Sequence, residues 1–136
     1  MDDIDIDELI QLHNEARDEG SWMWEIMPLV KDDKLMQYAQ EWAEHMAEKN
    51  RMYHSSMRDI MRLGFSTAGE NIAWGQKDCQ TVMRTWLNSP GHRANIMSTK
   101  YSSIGCGVAK SSKGRIFWCT CFGTPSEGKI GIYGPC

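Results

Sequence analysis

No apolar run in this 136-residue chain approaches the roughly 20 residues that a bilayer-spanning helix requires. No basic stripe is present either. Arg62, Arg84, Arg93 and Arg115 are scattered, and 18 acidic residues outweigh 15 basic ones to give a net charge of -3. A nucleic-acid groove needs clustered lysine and arginine, so that class is set aside. The start lacks the basic and apolar regions of a signal peptide, because Met1 is followed at once by acidic residues. The chain is therefore expected to be intracellular or to be shown without its leader. No Cys-x-x-Cys pair occurs, which argues against a zinc knuckle or a thioredoxin-like motif. Also missing are a Gly-x-Ser-x-Gly elbow, a His-Glu-x-x-His helix, a phosphate-binding glycine loop and a dinucleotide fingerprint.

What is present is enough for one folded domain. Hydrophobic residues make up 41% of the chain, too many for a disordered composition. The acidic cluster Asp2, Asp3, Asp5, Asp7 and Glu8 suits a helix start, where the helix dipole favours carboxylates. Ile6, Leu9, Ile10 and His13 recur at helical spacing, which predicts a helix over 4–19 that stops at Gly20. Leu35, Ala39, Trp42, Ala43 and Met46 form the stripe of a second helix over 33–50, capped by Asp32 or Asp33. A short helix is expected within 52–64, and a short extended segment over 68–75. Asp78 caps a third helix that Ser89-Pro90-Gly91 ends, and a helical turn follows over 92–97. Two strands, 103–109 and 115–122, flank the turn-forming Lys110-Ser111-Ser112-Lys113-Gly114. The tail from Thr124 to Cys136 is expected to wrap the surface with one short edge strand. Helices followed by a hairpin make an α+β fold.

Methionines and tryptophans are read as core first. Met23, Met27, Met36, Met46, Met61 and Met83 are expected to fill it, with Trp42 and Trp86 on apolar helix faces. The cysteine count of five is odd. Cys119 and Cys121 are two apart in an expected strand, so they share a face and are not expected to bridge each other. Cys106 can oppose Cys119 across the hairpin, and Cys136 can be a free thiol.

Of four histidines, His13 lies on an apolar stripe and reads as a hydrogen-bonded structural residue, and His45 reads as a surface residue. His54 and His92 lie in irregular polar stretches, as does Glu70 in Gly69-Glu70-Asn71. Two imidazoles and a carboxylate suit a divalent transition metal with open positions. Their separation in sequence carries no spacing signal that they converge.

Asn88-Ser89-Pro90-Gly91-His92-Arg93-Ala94-Asn95-Ile96 and Gly69-Glu70-Asn71-Ile72-Ala73 resemble the hallmark elements of bacterial-type CAP domains, the SCP/PR-1-like superfamily. His13-Asn14-x-x-Arg17, Leu35-x-x-x-Ala39-Gln40-x-Trp42-Ala43, His54-Ser55, Ile104-Gly105-Cys106-Gly107 and Phe122-Gly123 match further elements in the family's order, over about residues 6 to 123. The resemblance implies a single domain over 1–136, with 124–136 a C-terminal tail. It implies a three-layer α-β-α sandwich around a central antiparallel sheet. It also implies one cleft holding His54, Glu70 and His92, with His54 and His92 as the ligands of zinc or another divalent ion.

Two departures stand out. Animal and plant relatives carry a second glutamate on the helix leading into Asn88, but no acidic residue lies between Asp78 and His92 here. Asn88 or Ser89 can fill the space without supplying a charge. A two-carboxylate acid/base mechanism is thereby put in doubt, while metal binding is not. Bacterial relatives often read Trp-Thr-Gln before Phe-Gly, where this chain has Trp118-Cys119-Thr120-Cys121. A Cys106–Cys119 bridge would imply an oxidising compartment, in keeping with the family's usual secretion. A cytoplasmic or virion-borne form with free thiols is the alternative.

Three functions compete. The first is a secreted binding module for a divalent ion and a small apolar or glycan ligand, or for a host or cell-surface component. The second is a metal-assisted hydrolase, peptidase-like or acting on a cell-envelope polymer, with Glu70 as general base. The third is a structural or interaction protein in which His54, Glu70 and His92 fix the loops by hydrogen bonds.

Overall fold

In the computed structural model, which describes residues 3–126, the acidic start becomes a helix cap. The Asp5 side chain accepts from the Asp7 backbone N–H, and helix α1 follows over Ile6–Glu19. Strand β1 is only Val30–Lys31. Asp32 caps α2, Asp33–Lys49, and Asn50 closes it in the left-handed conformation at φ 51°. Ser56 caps the short α3, Met57–Met61. Strand β2 spans Phe65–Trp74. Helix α4, Cys79–Leu87, starts from Asp78, and α5, Pro90–Met97, begins with proline in its first turn. Strands β3, Ser103–Lys110, and β4, Ile116–Pro125, form the hairpin.

The sheet order is β1-β3-β4-β2. The two hairpin strands and β2 are antiparallel, while β1 runs parallel to β3. Helices α1, α4 and α5 cover one face around Leu9, Val82, Trp86, Ile96, Trp118 and Phe122. Helices α2 and α3 cover the other around Leu35, Ala43, Ile60, Ile72 and Phe117. This is an α+β sandwich of three layers, as the resemblance implies.

Close contact sets the position of α2. A Cβ on Gly105 would lie 2.1 Å from the Leu35 carbonyl carbon, and one on Gly107 would lie 2.4 Å from the Gln40 Cα. Only glycine lets the helix backbone rest on the strand at these points. On the opposite face the Arg17 guanidinium, fully buried, donates to the carbonyls of Met27, Ile96 and Ser98. Asn14 clamps both the N–H and the carbonyl of Leu29. The opening motif therefore pins the 21–29 loop and sets up β1.

Several expectations need correction. Met23, Met27 and Met61 are 72%, 61% and 40% exposed and do not fill the core. The loop is held by backbone clamps, so only Ile26 and Leu29 turn inward. Trp42 lies at the core's edge and donates its indole N–H to the Tyr53 carbonyl. His45 is half-buried against the Trp42 and Tyr53 rings. The expected Cys106–Cys119 bridge does not form. Cys106 is paired with Thr120 and Gly107 with Cys119, so the two sulfurs lie on opposite faces of the sheet. Cys79, Cys106, Cys119 and Cys121 are all free and buried. The surface wrap expected of the tail lies largely outside the described residues, as does Cys136.

Candidate functional site

Strand β2 is one of the two edge strands of the sheet, and the candidate site is built over its free edge. Its edge carbonyls are met by side chains. Tyr101 donates to Ala68, Asn95 to Glu70 and the Trp86 indole to Ile72. These bonds bring α4 and α5 against the edge and leave it closed to strand addition.

Glu70 points to the α2 side of the sheet and is buried. Its Oε1 accepts from His54 Nδ1 at 2.7 Å and from the Ser55 backbone N–H at 3.0 Å. Its Oε2 accepts from the Ser55 hydroxyl, with the Cys119 thiol 3.7 Å away. Because a carboxylate only accepts, His54 carries its proton on Nδ1. The His54 side chain is 59% exposed while that of Glu70 is 1% exposed. A buried anion thus holds a solvent-facing ring.

Asn71, next along the strand, points to the opposite face and donates to the His92 carbonyl at 3.0 Å. Asn95 in turn donates to Asn71 Oδ1 at 2.9 Å. This chain of amides seats α5. His92 Nδ1 meets Ser89 Oγ at 2.9 Å. Burial lowers the His92 pKa, and the charge of His54 lowers it further. Both rings are anchored through Nδ1, and no described residue bonds either Nε2.

The expected residues thus separate into groups. His54 and Glu70 touch, and Ser89 holds His92. Asn88 instead closes α4 as its exposed C-cap, and no hydrogen bond links its side chain to either histidine. Asn71 and Asn95 are supports that the residue-by-residue reading passed over, and Ser55, beside His54, supports Glu70 rather than acting as a nucleophile. Asn71, a polar residue in the apolar run of β2, was the available signal.

A cavity of about 170 Å³ borders His92, lined by Met52, Ile72, Ala73, Trp74 and Trp86 among others. Two larger depressions, about 420 and 390 Å³, lie elsewhere and include none of the site residues.

A second cluster lies beneath Glu70. Cys121 is directly across the sheet from Glu70, and Cys119 is one strand pair along on the same face. The two sulfurs are 3.7 Å apart and fully buried. Burial raises the Cys119 pKa well above the usual thiol value, and neighbouring Cys121 and Glu70 add to the effect.

The fold and the ordered motifs define a CAP domain, and the comparisons with known proteins agree. The model of the cysteine-rich secretory protein family (CAP) matches residues 10–122, and the chain belongs to that family. It is 37% identical over 94 residues to the protein YkwD of Bacillus subtilis (strain 168), a match covering 63% of this chain and 37% of that protein. The chain thus spans well under half the length of that relative. Among solved structures it is similar to an outer surface protein from Borrelia burgdorferi, with a TM-score of 0.79 and 24% identity, covering 89% and 92% of the two chains. An extracellular SCP-domain protein from Bacillus anthracis gives a TM-score of 0.75 at 26% identity, covering 87% of this chain and 39% of that one. NaASP2, solved with Zn²⁺, shares the fold at a TM-score of 0.66 and 13% identity, covering 88% and 82%.

Proposed function

We propose that this domain is a secreted binding module whose His54 and His92 hold a divalent metal ion of the zinc type. The observation that carries this reading is the anchoring of both rings through Nδ1, with Nε2 left for a ligand. An imidazole that gives its other nitrogen to a carboxylate is oriented and made more basic, as metal-ligating histidines usually are. This anchoring supports a divalent ion held between the two rings. When bound, it would offer open coordination positions to an oxygen or nitrogen of a ligand. The small cavity beside His92 would then receive an apolar group of that ligand. At about 170 Å³ it is below the usual size of a full small-molecule pocket. The reading of Glu70 as a general base is not favoured. Both its oxygens are occupied, and its geometry is that of a support for His54 and Ser55.

Secretion is supported by the outer-surface and extracellular relatives, not by the cysteines. No helix among the described residues is long and apolar enough to cross a membrane. Calorimetry tests the metal reading. The wild-type chain is expected to take up zinc at neutral pH, and His54→Ala/His92→Ala is expected to lose one equivalent. Equal uptake by both proteins would overturn the assignment.

A further inference from the structure

The thiol pair under Glu70 is explained neither by the fold nor by the metal reading above. Two cysteines on one strand face would pack as well if they were valine or alanine. Here they are placed beside a carboxylate, and one atom from each of Glu70, Cys119 and Cys121 lies within 4.8 Å of the others. The register fixes this arrangement, because Glu70 faces Cys121 and Ile72 faces Cys119.

The distances carry chemical information. Tetrahedral zinc with sulfur bonds of about 2.3 Å and oxygen bonds of about 2.1 Å sets two sulfurs about 3.8 Å apart. It sets a sulfur and an oxygen about 3.6 Å apart. In this chain Cys119 Sγ is 3.7 Å from Cys121 Sγ and 3.7 Å from Glu70 Oε2. Two of the three edges between these ligands are already at length, and the third, Cys121 Sγ to Glu70, lies within 4.8 Å. The Glu70 oxygen involved is Oε2, while Oε1 keeps His54 and the Ser55 N–H. A cation here therefore needs no rearrangement of the bond that orients His54.

We propose that Cys119 Sγ, Cys121 Sγ and Glu70 Oε2 form a sulfur-ligated site for a thiophilic divalent cation, distinct from the histidine pair. Three protein ligands leave a fourth tetrahedral position for a further ligand. Each thiol releases its proton to solvent as its metal–sulfur bond forms, so two protons leave per ion and no redox partner is required. The soft sulfur pair selects ions of the zinc and cadmium class over magnesium or calcium. The site shares Glu70 with the anchor of His54 but takes both its sulfur ligands from elsewhere, so a sulfur-specific readout tests it separately from the function proposed above.

The test is an anaerobic titration of the reduced, chelator-treated full chain with Co²⁺. Thiolate-to-cobalt charge-transfer absorption is expected to grow to one equivalent. Cys119→Ser/Cys121→Ser should weaken the binding read by this absorption by more than about a hundredfold, beyond the usual cost of losing an outer-shell partner. Cys106→Ser, on the opposite face of the sheet, should leave it within about twofold of the wild type, a change of no more than about 0.4 kcal/mol. Cadmium NMR of the unmutated chain gives a readout that needs no variant, and two-sulfur coordination is expected. Absence of charge-transfer absorption in the wild type would overturn the proposal. So would absorption that persists in the double cysteine variant, or a cadmium resonance showing no sulfur ligand.

Discussion

Acid should destabilise this protein through His13. The ring is fully buried between Trp86 and Phe122, with centroids 5.9 and 5.7 Å away. Nδ1 donates to the Leu9 carbonyl at 2.7 Å, and Nε2 is buried with no partner among the described residues. Burial lowers the pKa from 6.5 to about 4, against a smaller opposing effect of the Leu9 bond. The folded state therefore resists a proton that the unfolded chain accepts below pH 6.5. Stability contributed by neutral His13 is complete above pH 6.5. It is lost as pH falls towards 4, at up to about 1.4 kcal/mol per pH unit. Between pH 7 and pH 4 the loss is about 3 kcal/mol. Other groups titrate in this range, so the measurement must be a difference. His13→Phe keeps an aromatic ring between Trp86 and Phe122 and removes the titration. Urea unfolding of both proteins from pH 7 to pH 4 should show the wild type losing about 3 kcal/mol more than the variant. Parallel curves, or an NMR titration of His13 near pH 6.5, would refute the reasoning.

Further predictions concern packing, the anchor and the thiols. Gly105→Ala drives a Cβ into the α2 backbone at Leu35 and Met36, which cannot move aside as a side chain would. A loss of about 3 kcal/mol or more is expected in denaturant unfolding, and an unchanged midpoint would contradict the packing argument. Glu70→Ala leaves the His54 ring and the Ser55 N–H without their acceptor. It should lower stability by about 2 to 3 kcal/mol in the same assay, and a melting temperature equal to the wild type would contradict that. The four described cysteines should be unreactive to a thiol reagent in the native state and fully reactive in denaturant. Intact-mass analysis after air oxidation should show no bridge between Cys106 and Cys119.

The sequence made the long elements legible where local chemistry alone decides them. Asp32 and Asp78 are caps, the α2 stripe is helical, and the break at Ser89-Pro90-Gly91 separates α4 from α5. His13 was legible as a structural residue because it shares the stripe of Leu9 and Ile10. Strand β1 was not, since two residues carry no periodicity and the pairing comes from β3. β2 starts earlier than its apolar core implies, because Phe65 to Ala68 is held by pairing with Gly123 to Pro125. The cysteine pairing failed for a similar reason. Hairpin register depends on how the turn closes, and a one-residue shift moves every side chain to the other face. Lys110 pairs with Ile116, which sends Cys106 to one face and Cys119 to the other. The contact of His54 with Glu70 was implied only by the ordered motifs. Nothing in the sequence spacing of His54 and Glu70 indicates that they touch. The thiols beneath Glu70 became visible only once the register was known.

The most direct test of the metal site is zinc anomalous scattering from crystals of the full chain soaked in Zn²⁺. The account predicts a peak about 2.1 Å from the Nε2 atoms of both His54 and His92, with Glu70 still bonded to His54 Nδ1. Zinc found only elsewhere on the protein, with both Nε2 atoms facing solvent, would contradict it.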